Sequence, residues 1–358
     1  MPRKNSKFIY FLYTVLVISN SISPLFFASE IHENPFYIAL DASTSDILTE
    51  NSSHHLWHPA SLTKLMTAYV VFSFLEEEKV TLKKPIVISK KASKYPPANS
   101  TFGYGTIITL DDALKLILVK SANDIAVSIA ESLCKTEGKF VTHMNATAKK
   151  LGMASTHFMN AHGLIQHGHY TTANDMAILT LRIKRDFPKY AHYFNIEGLE
   201  IQGKKFFSTN WLIGSPFGIT GMKTGFTCAS GFNYVASATK NKKDLIVVVL
   251  GAVSRDLRNN LSENLLFNGF SQKNKPNPIK TTFHKKNLSE NVPDISDIVC
   301  TAENESGNYT ALLKEQKDRK EETTNFEVII PLNNTRKPIK KKEPLQPLPS
   351  EEPPLLSR

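Results

Sequence analysis

The chain has 358 residues, 41% of them hydrophobic, and a formal net charge of +10. That length suits one large domain with extensions or two ordinary ones, and the apolar share is enough to fill a core. The basic residues are scattered rather than gathered into a stripe with interleaved aromatics, which speaks against nucleic-acid binding and fits, at most, peripheral association with an anionic membrane surface or polymer.

Arg3, Lys4 and Lys7 precede the apolar run Phe8–Ile18. A charged segment followed by an apolar run too short to span a bilayer predicts a secretory signal over residues 1–28, cleaved near Ala28, with retention as an N-terminal anchor as the alternative. Either outcome exports the body of the protein to the periplasm or cell envelope. Cys134, Cys228 and Cys300 are odd in number and show no C-x-x-C spacing, so neither a disulfide framework nor a zinc site is predicted. One pair could bridge in an oxidising compartment, but the expectation is no disulfide, with Cys228 a packing thiol at the rim of the cleft.

Residues 29–270 read as the folded domain. The strand-like runs Phe36–Leu40 and Ile47–Glu50 flank a turn-rich segment and predict a hairpin. A helix follows from about Ser61 toward Glu78, with Leu62, Leu65, Met66, Tyr69, Val70 and Phe72 giving an apolar face broad enough for burial on most sides. After a stretch of turns over residues 81–108, Thr109 can cap a helix that ends at Lys120. Ser121-Ala122-Asn123-Asp124 forms a tight junction into a further helix through Leu133, and helical pattern recurs at about 139–151 and 172–184. The segment 160–164 between them is a loop. His162, His167 and His169 lie near it, but no carboxylate or cysteine falls at ligand spacing, so no metal is predicted. Strand character returns at 206–209 and becomes strong in Ile219–Thr227, Phe232–Thr239 and Asp244–Gly251, an antiparallel meander closed by a helix over about 256–270. Ten of the 19 prolines fall after residue 270. Residues 271–330 look weakly structured and 331–358 read as a disordered Pro-, Lys- and Glu-rich tail.

Three short motifs stand in order on this frame. In Ser61-x-x-Lys64 a helical turn stacks an amine beside a hydroxyl, a nucleophile with a base in reach, and Pro59 just ahead suits a helix start. Ser121-x-Asn123 places polar side chains at a helix junction, free to face a cleft, and Lys223-Thr224-Gly225 lies on a strand. Each is weak alone, but together with Ala60, Leu65-Met66-Thr67-Ala68, Asp124 and Thr227 beside them they are specific. The set resembles the penicillin-recognising serine enzymes and, within them, the low-molecular-weight penicillin-binding proteins that are serine-type D-Ala-D-Ala carboxypeptidases. The resemblance covers roughly residues 35 to 270.

It implies an α/β (α+β) fold of the β-lactamase/transpeptidase type, an antiparallel sheet flanked by helices plus an all-helical subdomain with the motifs in the cleft between them. It also implies removal of the terminal D-Ala from peptidoglycan stem pentapeptides, inhibition by β-lactam antibiotics, and no cofactor or metal. Ser61 would be the nucleophile, Lys64 its base, Ser121 a proton relay and Asn123 an orienting amide. Lys223, Thr224 and Gly225 would hold the substrate, with the backbone N–H of Phe226 and of Ser61 as oxyanion donors. The carboxylate-binding arginine falls by spacing at Arg258, with Arg255 as the alternative. Ala122 in the second motif fits the carboxypeptidases rather than S-D-N β-lactamases, and no E-x-x-L-N segment lies before the third motif, which speaks against fast β-lactam hydrolysis. A D,D-endopeptidase and a non-hydrolysing penicillin-acylated protein are the alternatives. The C-terminal β-rich domain and amphipathic helix common in the group have only a weak counterpart after residue 270.

Overall fold

The computed structural model describes residues 35–95, 100–272, 277–279, 292–301 and 324–333. The leader expected over 1–28 and residues 334–358 of the expected tail lie outside the described residues.

A five-stranded antiparallel sheet in the order β2-β1-β9-β8-β7 forms the frame. Strands β1 (Phe36–Asp41) and β2 (Ile47–Asn51) make the expected hairpin, and β7 (Ile219–Thr227), β8 (Gly231–Lys240) and β9 (Lys243–Ala252) make the meander. In the hairpin turn the Asp41 carboxylate accepts from Ser43 N at 2.8 Å, the local bond that makes aspartate a turn former. Strand β1 pairs on its other edge with β9, Ile38 opposite Val248, so the two ends of the domain meet in the centre of the sheet.

Both faces of β9 are buried, which explains a near-continuous run of apolar residues in place of alternation. Helix α5 (Ala173–Asp186) covers one face, where Lys184 donates to Ser237 Oγ at 2.6 Å. Helix α6 (Arg255–Ser271) covers the other, packing so closely at Gly269 that a Cβ there would come within 2.9 Å of Leu245.

The helical part is built on α1 (Thr63–Glu76), whose first ten residues, Thr63 to Phe72, are all buried. Around it lie α2 (Leu110–Val119), α3 (Asn123–Cys134) and α4 (Glu137–Leu151). Threonine side chains cap three helices: Thr109 accepts from Asp112 N, Thr136 from Lys139 N and Thr172 from Asp175 N. A 3-10 segment, Pro188–Asn195, turns Tyr190, Tyr193 and Phe194 onto Phe72.

Several features depart from the reading of the sequence. The strand expected at 206–209 is β6 (Lys204–Phe207), which pairs with β5 (Gly198–Ile201), a strand that the pattern did not announce. Between β2 and α2, β3 (Pro85–Val87) and β4 (Ile107–Thr109) form a small ribbon. Far along the chain, β10 (Phe326–Ile329) adds to β5 in parallel. The expectation of no disulfide is wrong: Cys228 and Cys300 are bridged, with Cα atoms 5.5 Å apart. Spacing in the sequence could not show this pairing, because residues 292–301, with the short helix α7 (Ser296–Val299), return to the β7–β8 turn from 72 positions away. Cys134 is a free thiol.

Candidate active site

The turn ahead of α1 is held from below by the sheet. Trp57 Nε1 donates to Ser230 O at 2.9 Å, and Asn233 Nδ2 donates to His58 O at 2.9 Å. Asn233 Oδ1 accepts from Gly251 N at 2.9 Å, so one buried amide ties this turn to two strands. Ala60 is left-handed (φ +46°) and opens a 3-10 turn, Ala60–Leu62, that presents Ser61 before α1 begins. Gly163 packs against this turn so tightly that a Cβ on it would lie 1.9 Å from Ala60 O, and its own φ of +96° suits glycine.

Lys64, the second residue of α1, is completely buried. Its Nζ lies 3.0 Å from Ser61 Oγ, donates to Asn123 Oδ1 at 2.7 Å and donates to His162 O at 2.6 Å. The ammonium form therefore has oxygens around it but no carboxylate in contact. Burial is the main force pushing the Lys64 pKa well below the usual lysine range, the Lys223 charge adds to it, and Asp124 opposes it.

Ser121 sits in a left-handed conformation (φ +63°) between α2 and α3 and is buried. Asp124 pins this junction by accepting from Ser100 N and Ser100 Oγ, the latter at 2.6 Å, and burial raises its pKa. Across the cleft, Lys223 on β7 donates to Ser121 Oγ at 3.1 Å and to Thr224 O at 2.9 Å. Burial first, and the Arg258 charge second, lower the Lys223 pKa to about 7. Ser61, Lys64 and Asn123 thus form one hydrogen-bonded group at the helix start, and Ser121 with Lys223 forms a second that reaches the edge strand.

Strand β7 is the outer strand of the sheet, and the Ala60–Leu62 turn abuts it. A Cβ on Gly225 would come 3.0 Å from Pro59 O and 3.2 Å from Ser61 N, so only glycine lets the two backbones approach this closely. Phe226 follows, 43% exposed, with its ring 4.4 Å from that of Phe232. Thr224 stands opposite Tyr234, and the Arg258 guanidinium lies 5.6 Å over the Tyr234 ring. Arg255 instead lies over Trp211, at 5.9 Å. Of the two arginines, Arg258 is the one whose charge bears on Lys223.

The histidines serve structure here. His162 Nε2 is 3.5 Å from Glu137 Oε1, His169 Nε2 is 3.0 Å from Thr63 Oγ1, and His167 is exposed. Among the described residues no group of three His, Cys, Asp or Glu side chains could hold a metal ion, and no helix is long and apolar enough to cross a membrane. Reading the sequence missed the His162 carbonyl as a partner of Lys64, and it missed Asn233. A backbone acceptor has no residue-type signature, and Asn233 lies in a strand 175 positions from the turn it holds.

Residues 27–254 match the family model described as D-alanyl-D-alanine carboxypeptidase, peptidase S11. D-alanyl-D-alanine carboxypeptidase DacC of Escherichia coli K12 is 35% identical over 251 residues, covering 68% of this chain and 63% of that protein. The chain thus spans somewhat under two thirds of the length of this relative. Among solved structures, penicillin binding protein 5 from Haemophilus influenzae superposes with a TM-score of 0.64 at 32% identity, covering 66% of this chain and 70% of that one. Penicillin-Binding Protein D2 from Listeria monocytogenes, in its cefotaxime-bound form, gives 0.61 at 28% identity over 66% of this chain and 96% of that one. The sheet and helical subdomain expected from the three motifs are therefore the fold of these relatives, and the chain belongs to the D-alanyl-D-alanine carboxypeptidase family.

Proposed function

We propose that the protein is an exported serine-type carboxypeptidase that removes the terminal D-Ala from peptidoglycan stem pentapeptides. The observation that carries this reading is the buried Lys64 amine 3.0 Å from Ser61 Oγ, bonded only to neutral oxygens. In that setting the neutral amine is favoured and can accept the hydroxyl proton.

Ser61 Oγ attacks the carbonyl carbon of the penultimate residue while its proton passes to Lys64 Nζ. The negative charge that develops on the carbonyl oxygen falls to the backbone N–H groups of Ser61 and of Phe226, the residue after Gly225, whose close approach to Ser61 N supports this reading. Collapse breaks the peptide bond, and the leaving D-Ala nitrogen takes the proton held by Lys64, relayed through Ser121, which is linked to Lys223. With Lys64 neutral again, water attacks the Ser61 ester; its proton passes to Lys64 and on to Ser61 Oγ as the acyl bond breaks and the shortened peptide leaves. Lys223, Thr224 and Arg258 form the clamp for the terminal carboxylate, and Asn123 holds Lys64 and orients the substrate amide. β-Lactams would acylate Ser61 by the same route.

Two measurements on one preparation test the reading. Mass spectrometry with labelled penicillin is expected to show one adduct on the wild type and none on Ser61→Ala. Incubation with pentapeptide is expected to release free D-Ala. Release of monomer from cross-linked dimer without D-Ala from pentapeptide would favour an endopeptidase, and labelling that survives Ser61→Ala would overturn the mechanism.

A further inference from the structure

We infer that a cationic pocket beside the nucleophile, lined by Lys90, Lys91, Lys94, Tyr95 and Leu164, binds a carboxylate on the acyl-donor arm of the peptide. This rests on the carboxypeptidase reading above. The pocket has a volume of about 600 Å³. Its wall residue Leu164 follows Gly163, the glycine packed on Ala60 O. Its other wall, Tyr95, lies 4.8 Å ring to ring from His162, whose carbonyl holds Lys64 Nζ. The pocket and the base therefore share one loop, residues 160–164.

Its charges are unbalanced. Lys91 Nζ pairs with Glu137 Oε2 at 3.1 Å, and Glu137 Oε1 in turn accepts from Ala161 N. Lys90 and Lys94 are exposed and enter no ion pair among the described residues. Two lysines on open surface would simply be solvated. Here Tyr95 and Leu164 supply apolar walls, and an anion seated against such walls is less screened than one in bulk water.

The direction of the substrate gives the anion its source. With the terminal carboxylate at Lys223, Thr224 and Arg258 and the scissile carbonyl at Ser61, the donor arm must leave the nucleophile away from Lys223. The His162 carbonyl bonds Lys64 Nζ and Leu164 of the same loop lines the pocket, so a donor arm that follows this loop reaches the pocket. A carboxylate carried on the residue before the D-Ala pair, or on the next one upstream, is the group that chemistry selects.

The test uses two peptides alike except for upstream charge: Nα,Nε-diacetyl-L-lysyl-D-alanyl-D-alanine and its Nα,Nε-disuccinyl analogue. Two ion pairs at a partly screened site correspond to roughly a tenfold lower KM for the disuccinyl peptide. Lys90→Gln with Lys94→Gln should erase that preference while leaving the diacetyl KM and the rate of penicillin acylation unchanged. Lys149→Gln with Lys150→Gln, an exposed pair at the end of α4, should keep the preference and so controls for bulk charge. No preference in the wild type, its survival in the Lys90/Lys94 variant, or its equal loss in the control would each overturn the pocket. Dissociation constants of the two peptides for Ser61→Ala read the same preference without turnover. Release of D-Ala from neither peptide would therefore sink the carboxypeptidase reading alone.

Discussion

Two buried lysines with no carboxylate in contact are the residues on which the proposed chemistry turns, and they should titrate differently. Burial first, and the Lys223 charge second, shift Lys64 toward its neutral form, which suits it to act as a base. Lys223, at about 7, is only partly protonated at neutrality in the free protein. A substrate carboxylate favours its charged form, so peptide affinity should weaken as pH rises through 7 while kcat changes little. The expected result is a KM for pentapeptide that climbs on the alkaline side, with a midpoint near 7. Arg258→Gln removes a charge that depresses Lys223, so that midpoint should move to higher pH. The same variant should lose roughly 10- to 100-fold in kcat/KM, the usual scale for a charge-assisted hydrogen bond. A midpoint unmoved by Arg258→Gln would dissociate the two residues. Close packing makes a second prediction at this scale. Gly225→Ala places a methyl 3.0 Å from Pro59 O and 3.2 Å from Ser61 N, and overpacking of this kind costs about 1–3 kcal/mol. Since one group that must give way is the backbone of Ser61, the proposed nucleophile, penicillin acylation should slow far more than the melting temperature falls. What could be read ahead at this scale was the short-range part. Helical spacing alone stacks Lys64 on Ser61, whereas the link from Lys223 to Ser121 spans 102 positions and leaves no local mark.

Elements were legible where their own pattern decided them. The threonine-capped helices, the hairpin and the meander follow from periodicity and turn chemistry. Short elements held by distant partners did not announce themselves. Strand β5 has only four residues and gains its place from β6 on one side and β10 on the other. The segment 292–301 is the extreme case, since it is docked through Ile295 and Val299, both buried, and through Cys300. It lies against the β7–β8 turn: Ile295 N bonds Ala229 O, and a Cβ on Gly231 would meet Ile295 at 2.9 Å. The Asp294 charge also reaches His58, three residues before Ser61. A crosslink closing 72 positions constrains the unfolded chain by about 4 kcal/mol in the loop-entropy account. Cys228→Ser with Cys300→Ser should accordingly lower the denaturation midpoint, and reductant should do the same to the wild type but not to the double variant. Alkylation of the denatured, unreduced protein should label one thiol, Cys134, and three after reduction. Three labels without reduction would remove the bridge from the account.

At the scale of the whole molecule, the domain packs helices on both faces of one sheet, and it buries polar groups where the cleft meets the core. His162 and His169 illustrate the cost. Burial is the main force holding each neutral, with a pKa of about 3. At His162 the Lys91 charge adds to burial, and at His169 burial is the largest cause. In the unfolded chain both return to about 6.5. Between these values the unfolded state binds protons that the folded state refuses, so stability must fall as pH drops from 6.5 toward 3. Each histidine should contribute a slope of about 1 kcal/mol per pH unit between pH 5 and 6, where its unfolded form is mostly protonated. Asp124 and Asp175, raised by burial, act in the opposite sense, so the overall curve alone cannot assign the effect. Single variants can. His169→Gln and His162→Gln should each be less stable than wild type at pH 7, because a packed ring is lost, yet each should show a flatter dependence on pH, by about one proton's worth. Urea denaturation at half-unit steps from pH 5 to 7 measures that slope. If both variants kept the wild-type slope, the two rings could not be the neutral, buried groups that support the Lys64 loop, and the acid sensitivity of the fold would have to arise elsewhere.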